Sequence, residues 1–357
     1  MRTVFAILTF VAFGWTTANA ADSSSGDDPY WILLHEQAVI EELNLDDAQR
    51  KAFQEFMDGI DLRFFPLRNK SREDALAGYA ALKAEIESQL ETLLTPQQHE
   101  RFNQILLRRI GTPSLLRDDV ASRMRYTDQQ RKRLQGILDD LQTKTSAIEK
   151  DWNKGGFREA LEQRFRDAAS DAEKQIHAML RPEQEKILIK ILGPEFDMTQ
   201  LGHLSFKAPE LVNTSEWLNG SPVSLEQHRG KVVVIHFYAC GCINCIHNFP
   251  WYREWTERFR DKDVAIIGIH TPEVDSERRV ENVRRSAAEE KLMFPILIDG
   301  KNENWNAWGN SMWPSVYVID KQGYLRHFWA GELKWNGRDG EKFMRDGIEE
   351  LLAEPLP

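Results

Sequence analysis

Cysteine is nearly absent from this chain of 357 residues; it occurs three times, at positions 240, 242 and 245. So small a supply, confined to six consecutive positions, excludes a framework of scattered disulfide staples. It also leaves no second ligand pair for a structural zinc site, and no metal or other cofactor is expected. Long apolar runs are missing beyond the N-terminus, so no later segment reads as a membrane span. A basic excess is missing as well: the net charge is −10, which argues against a nucleic-acid partner. The helical first half holds no histidine or carboxylate cluster with ligand spacing, and no catalysis is assigned to it.

What is present begins with an export signal. Arg2 gives a positive start, Val4 to Gly14 is a short apolar run, and Ala18-Asn19-Ala20 is a small-residue cleavage pattern. No cysteine sits near the cut to carry a lipid. The expectation is a soluble periplasmic or otherwise extracytoplasmic protein, with residues 1–20 as signal peptide and 21–28 as a flexible linker. The remaining length calls for two domains, placed at 29–200 and 204–357. In an oxidising compartment a C-x-x-C pair stays bonded unless a dedicated donor reduces it.

From Pro29 to about Pro194 apolar residues recur at helical spacing. Phe53, Phe56, Met57 and Ile60 form one face; Leu134, Ile137, Leu138 and Leu141 form another. The stretch starting at Gln49 matches the one starting at Gln130, 81 residues on, and Gln98 to Pro113 matches Gln184 to Pro194, 86 residues on. An all-α domain built by internal duplication is expected. Asp46-x-x-Gln49, Thr95-x-x-Gln98 and Thr127-x-x-Gln130 read as capping boxes, with Arg181-x-x-Gln184 the weaker copy; Gly111 and Gly193 read as helix stops. The L-T-x-x-Q element resembles that of Spy/CpxP-type periplasmic helical proteins, some of which bind unfolded clients.

The second half alternates strands and helices, which implies an α/β sheet with helices on both faces. Strands are expected at Val232–Tyr238, Val264–His270, Pro295–Ile298, Ser315–Ile319 and Tyr324–Ala330. Helices are expected near Ile243–Arg260, Ser276–Lys291 and Glu341–Leu352. Cys242-Ile243-Asn244-Cys245 lies between an apolar strand and a helix, with its two thiols one helical turn apart. That is a redox context rather than a structural one. Cys240 stays open between a buried small residue, a third thiol that rescues or misroutes exchange, and part of a metal site with His236 or His247. Trp251, Trp255, Trp305, Trp308 and Trp313 read mostly as packing, with Trp313 placed at a substrate face.

Ala208-Pro209-Glu210-Leu211, the run from Leu218 to Leu225, and Arg229 to Phe237 resemble the entry to TlpA/ResA-type extracytoplasmic thioredoxins. Cys242 to Pro250 and Ile266 to Pro272 are similar to the C-I-N-C subgroup, which includes DipZ-type and NHL-repeat-containing proteins. The resemblance runs from about Ala208 to Gly337. It implies a thioredoxin-like fold and a thiol–disulfide oxidoreductase, with Cys242 attacking from a helix N-terminus and Cys245 resolving. It also implies a kink at Pro250, a cis-proline at Pro314 facing the disulfide, and His236 where many thioredoxins bury a proton-transferring aspartate, which leaves His236 open between a proton relay and a core histidine hydrogen-bonded to backbone. Gly241 departs from the family, which usually carries a Trp, Ser or similar residue there. The implied partners are protein thiols and disulfides and a membrane-bound electron donor or acceptor. Peroxiredoxins need a P-x-x-x-T-x-x-C loop and thioredoxin-fold copper chaperones a C-x-x-x-C; neither is present. Two rivals remain: a client-binding protein in which the helical half is primary, and a permanent Cys242–Cys245 staple.

Overall fold

The computed structural model describes residues 28–153, 158–212 and 216–355. The expected signal peptide and all but the last residue of the linker lie outside the described residues. Helices follow one another as α1 (Pro29–Leu33), α2 (Gln37–Glu42), α3 (Asp47–Phe64), α4 (Arg72–Leu93), α5 (Pro96–Ile110), α6 (Asp118–Met124), α7 (Asp128–Asn153), α8 (Arg158–Met179) and α9 (Pro182–Leu192). None of the helices among the described residues is long and apolar enough to cross a membrane.

The caps read from the sequence form the starts of these helices. Asp46 accepts from Gln49 N at 2.8 Å while Gln49 reaches back to Asp46 N at 3.1 Å. Thr95 with Gln98 and Thr127 with Gln130 repeat the exchange. Arginine offers no acceptor, so at Arg181 the return half of the box is what forms, Gln184 taking Arg181 N at 3.1 Å. Gly111 and Gly193 end α5 and α9 with φ of 71° and 62°, and Asn44 and Arg125, just beyond α2 and α6, both have φ of 48°.

The chain divides into two compact units, and Asp46–Gln89 falls with the sheet rather than with the other helices. One unit holds 28–45 and Leu90–Gly202; the other holds Asp46–Gln89 together with 203–355. In the first, Leu107, Val120, Met124, Leu134, Ile137, Ile176, Leu188 and Ile191 share a core. The guanidinium of Arg108, buried there, donates to Leu192 O at 2.9 Å and Gly193 O at 2.7 Å, satisfying carbonyls at the end of α9. Arg108→Ala strands both acceptors. It should lower the stability of this unit by roughly 2–4 kcal/mol, read as a shift in its urea midpoint.

In the second unit α3 packs with the sheet. Asp61, 2% exposed, accepts from Lys207 N at 2.7 Å, and Asp58 pairs with Lys207 Nζ at 3.4 Å and with Tyr324 Oη at 3.1 Å. Phe65, just past α3, enters the same core as Trp305, Trp308 and Tyr317. Periodicity marked α3 as an amphipathic helix but carried no sign of which neighbour its apolar face meets.

The sheet contains β1 (Phe206–Lys207), β2 (Trp217–Leu218), β3 (Val232–Tyr238), β4 (Val264–His270), β5 (Ile296–Ile298), β6 (Ser315–Ile319) and β7 (Tyr324–Ala330), in the order β1-β7-β6-β3-β4-β5-β2. β3 pairs in parallel with β4, β4 in parallel with β5, and β6 antiparallel with β3 and β7. All of β3 is buried, as expected for a central strand covered on both sides. The crossovers after β3 and β4 advance in one direction, and right-handedness then puts α10 (Ile243–Arg258) and α11 (Val280–Glu289) on one face. There Phe249, Tyr252 and Trp255 of α10 and Val283 of α11 meet Met344 and Ile348 of the last helix, Gly340–Ala353. The opposite face is covered by Phe65, by segments before β3, and by Trp305 and Trp308 in and beside a short helix, Glu303–Ala307. The five strands expected from pattern are present. The two-residue edge strands β1 and β2 are too short to show alternation.

Candidate active site

β3 delivers the chain to Ala239-Cys240-Gly241-Cys242, and Cys242 becomes the N-cap of α10. Its carbonyl accepts from Cys245 N and Ile246 N, both at 3.0 Å, which starts the helix and sets Cys245 one turn inside. Cys242 is half-buried; Cys245 is 0% exposed. The Cys245 thiol, hydrogen-bonded to Cys242, brings the Cys242 thiol down to about 7, helped by the backbone N–H groups of Cys245 and Asn244 and opposed by partial burial and Glu273. Burial drives the Cys245 thiol strongly upward. Near neutrality the outer sulfur is partly a thiolate, while its mate holds its proton.

Pro250 lies inside α10, five residues beyond Cys245. The Trp313–Pro314 peptide is cis, and Pro314 O accepts from Gly331 N at 2.8 Å. Phe237 of β3 opposes Ser315 of β6, a register that sets Pro314 beside the end of β3 where the cysteine turn leaves. Trp313 is half-buried, stacked on Trp305 with ring centroids 4.0 Å apart, and its Nε1 donates to Thr271 O at 3.1 Å.

His236 sits under α10, fully buried, its ring stacked on Tyr252 at 4.0 Å with Phe294 edge-on at 4.6 Å. Among the described residues neither ring nitrogen has a hydrogen-bond partner, and burial lowers its pKa to about 3. It is a neutral core ring, and no hydrogen bond joins it to either thiol of the pair. His247 pairs with Glu332 at 3.1 Å instead of turning toward the cysteines. Among the described residues no group of three or more His, Cys, Asp or Glu side chains is arranged to hold a metal ion.

Several groups around the pair escaped the sequence reading. Asn248, buried one turn beyond Cys245, accepts from Leu333 N at 2.8 Å and donates to Tyr252 Oη and Gly331 O, tying α10 to the segment after β7. Glu277 lies in a charged run, Asp275-Ser276-Glu277-Arg278-Arg279, that looks like a solvated turn. Its carboxylate is nevertheless buried against Gly241 N at 2.6 Å. The signal that could have found it is Gly241 itself, standing where a side chain is usual.

The AhpC/TSA family profile matches residues 204–328. Protein DipZ of Mycobacterium bovis is 39% identical over 132 residues, 36% of this chain and 19% of DipZ, so the chain spans about a fifth of that relative. Thiol-disulfide oxidoreductase ResA of Geobacillus thermodenitrificans is 29% identical over 126 residues, 35% of this chain and 68% of ResA. Thiol-disulfide oxidoreductase YkuV of Bacillus subtilis is 32% identical over 147 residues, 41% of this chain and 94% of YkuV. At 32% identity over 94% of YkuV, this chain belongs to the thiol–disulfide oxidoreductase family.

Proposed function

We propose that this chain is an exported thiol–disulfide oxidoreductase that exchanges disulfides with partner proteins through Cys242 and Cys245. The observation that carries it is the asymmetry of the pair: an accessible sulfur brought to about 7 and a sealed one held as a thiol. The Cys242 thiolate attacks a partner disulfide, a new S–S bond forms to Cys242, and the displaced partner sulfur leaves and takes a proton. Cys245 then loses its proton and attacks Cys242, releasing the second partner sulfur. The partner gains two electrons and two protons, and the chain keeps a Cys242–Cys245 disulfide. Run backwards, the sequence oxidises a dithiol. A membrane-bound dithiol carrier is the proposed source of electrons outside the cytoplasm, and Trp313 and Pro314 form the proposed face for an extended substrate segment. Location rests on the leader pattern of residues 1–20.

The test is a trap. Cys245→Ser, incubated with insulin, should accumulate a covalent adduct that reductant dissolves, because nothing resolves the first bond. The double variant Cys242→Ser/Cys245→Ser should accumulate none. A single variant that forms no adduct while wild type reduces insulin would refute the assigned order of attack.

A further inference from the structure

Glu277 has no part in the exchange just described, yet its carboxylate is 5% exposed and takes three backbone donors: Gly241 N at 2.6 Å, Glu273 N at 2.7 Å and Val274 N at 3.2 Å. Two of those donors lie in the loop after β4, and the third lies between two cysteines in the loop after β3. We propose that Glu277 is a positioning residue that confines nucleophilic attack to Cys242, by pinning the Cys240–Cys242 loop and holding a negative charge against Cys240. The inference rests on the exchange reading above.

Geometry supports the pinning. A Cβ at Gly241 would stand 2.7 Å from Glu277 Oε1, closer than any real side chain settles, so the missing side chain is what admits the carboxylate. Electrostatics support the selection. Burial first and Glu277 second push the Cys240 thiol up to about 11, while Arg285 on α11 works weakly the other way. Tyr238 on β3 also faces Cys240, and Ser286 Oγ on α11 donates to Cys240 O at 3.4 Å. His270 on β4, beside Glu277, is brought by burial to about 4 and offers no cation to cancel the carboxylate. Selection matters because Cys240 is two residues from the attacking sulfur. Were it ionised, it would compete for client disulfides and attack the mixed disulfide at Cys242, diverting it into a strained C-x-C bond.

Site-resolved iodoacetamide labelling of the reduced full chain, followed by mass spectrometry from mildly acidic to alkaline pH, tests this. In wild type, Cys242 labelling should rise with pH through a midpoint of about 7 as the thiolate forms, with Cys240 labelled only at the alkaline end of the scan. Glu277→Gln removes the charge and turns an amide N–H toward a backbone donor. It should lower the Cys240 midpoint by roughly one unit, about tenfold in labelling rate at a fixed pH below it. Glu277→Asp, which keeps the charge, should follow wild type. Gly241→Ala, which displaces the carboxylate, should follow Glu277→Gln, and it decides the matter if the glutamine variant fails to fold. A purely structural role would move the melting temperature and leave the Cys240 profile in place. Cys240 profiles in both Glu277→Gln and Gly241→Ala that superimpose on wild type, with Cys242 still reactive, overturn the proposal. An inert Cys242 in wild type instead overturns the exchange reading beneath it.

Discussion

Cys242→Ser is expected to cut insulin-disulfide reduction by on the order of 10⁴-fold, to the background of the assay. Serine keeps the N-cap geometry of α10, and hydroxyls are favoured at that position, so the fold should be undisturbed. What is lost is the ionisable sulfur. The hydroxyl stays protonated where the Cys242 thiol, titrating at about 7, is substantially a thiolate. Cys245 does not substitute, being fully buried and driven far upward by that burial. Cys240, half-buried and pushed up to about 11, is equally idle at neutral pH. The measurement is insulin turbidity with a dithiol reductant against the uncatalysed rate. Retention of more than about a hundredth of wild-type activity would mean that another group attacks.

Phe65→Ala is the second large effect, and it falls on stability. The Phe65 ring is 2% exposed and lies 6.4 Å from Trp308, centroid to centroid, in the core behind β3. Around it the backbone is close-fitted: Gly309 has φ of 59°, and a Cβ there would meet Phe65 O at 1.8 Å. A packed site of this kind cannot collapse around the void, so the loss should be about 3–5 kcal/mol. The readout is the denaturant midpoint of the transition followed by tryptophan fluorescence, since Trp305 and Trp308 line the same core. Leu62→Ala, at a position 45% exposed, should change little and serves as the control. A Phe65 variant as stable as the control would show that the stretch 46–89 is not part of the sheet unit.

That second prediction marks where the sequence ceased to be readable. β3 was legible because a central strand must be apolar on both faces, and the helix after it because C-x-x-C sits where a strand ends. The caps at Asp46, Thr95 and Thr127 were legible because capping is local chemistry between residues three apart. The partner of α3 was not, because Asp61 and Lys207 meet across 146 positions of sequence and each alone resembles a surface charge. Glu277 was hidden for the same reason. Its partners are backbone N–H groups of two loops, which side-chain patterns do not announce, and Gly241 is the one residue that hints at it. His236 was legible in position but not in state. Stacked on Tyr252 with Phe294 edge-on, and without a hydrogen-bond partner among the described residues, it is desolvated beyond the range in which imidazole exchanges protons at neutral pH.

The depth of Cys245 has a kinetic corollary. An oxidised pair whose inner sulfur is sealed can be approached only from its outer one, so donor and recipient must queue for the same atom. Under the proposed exchange both half-reactions then pass through one doorway.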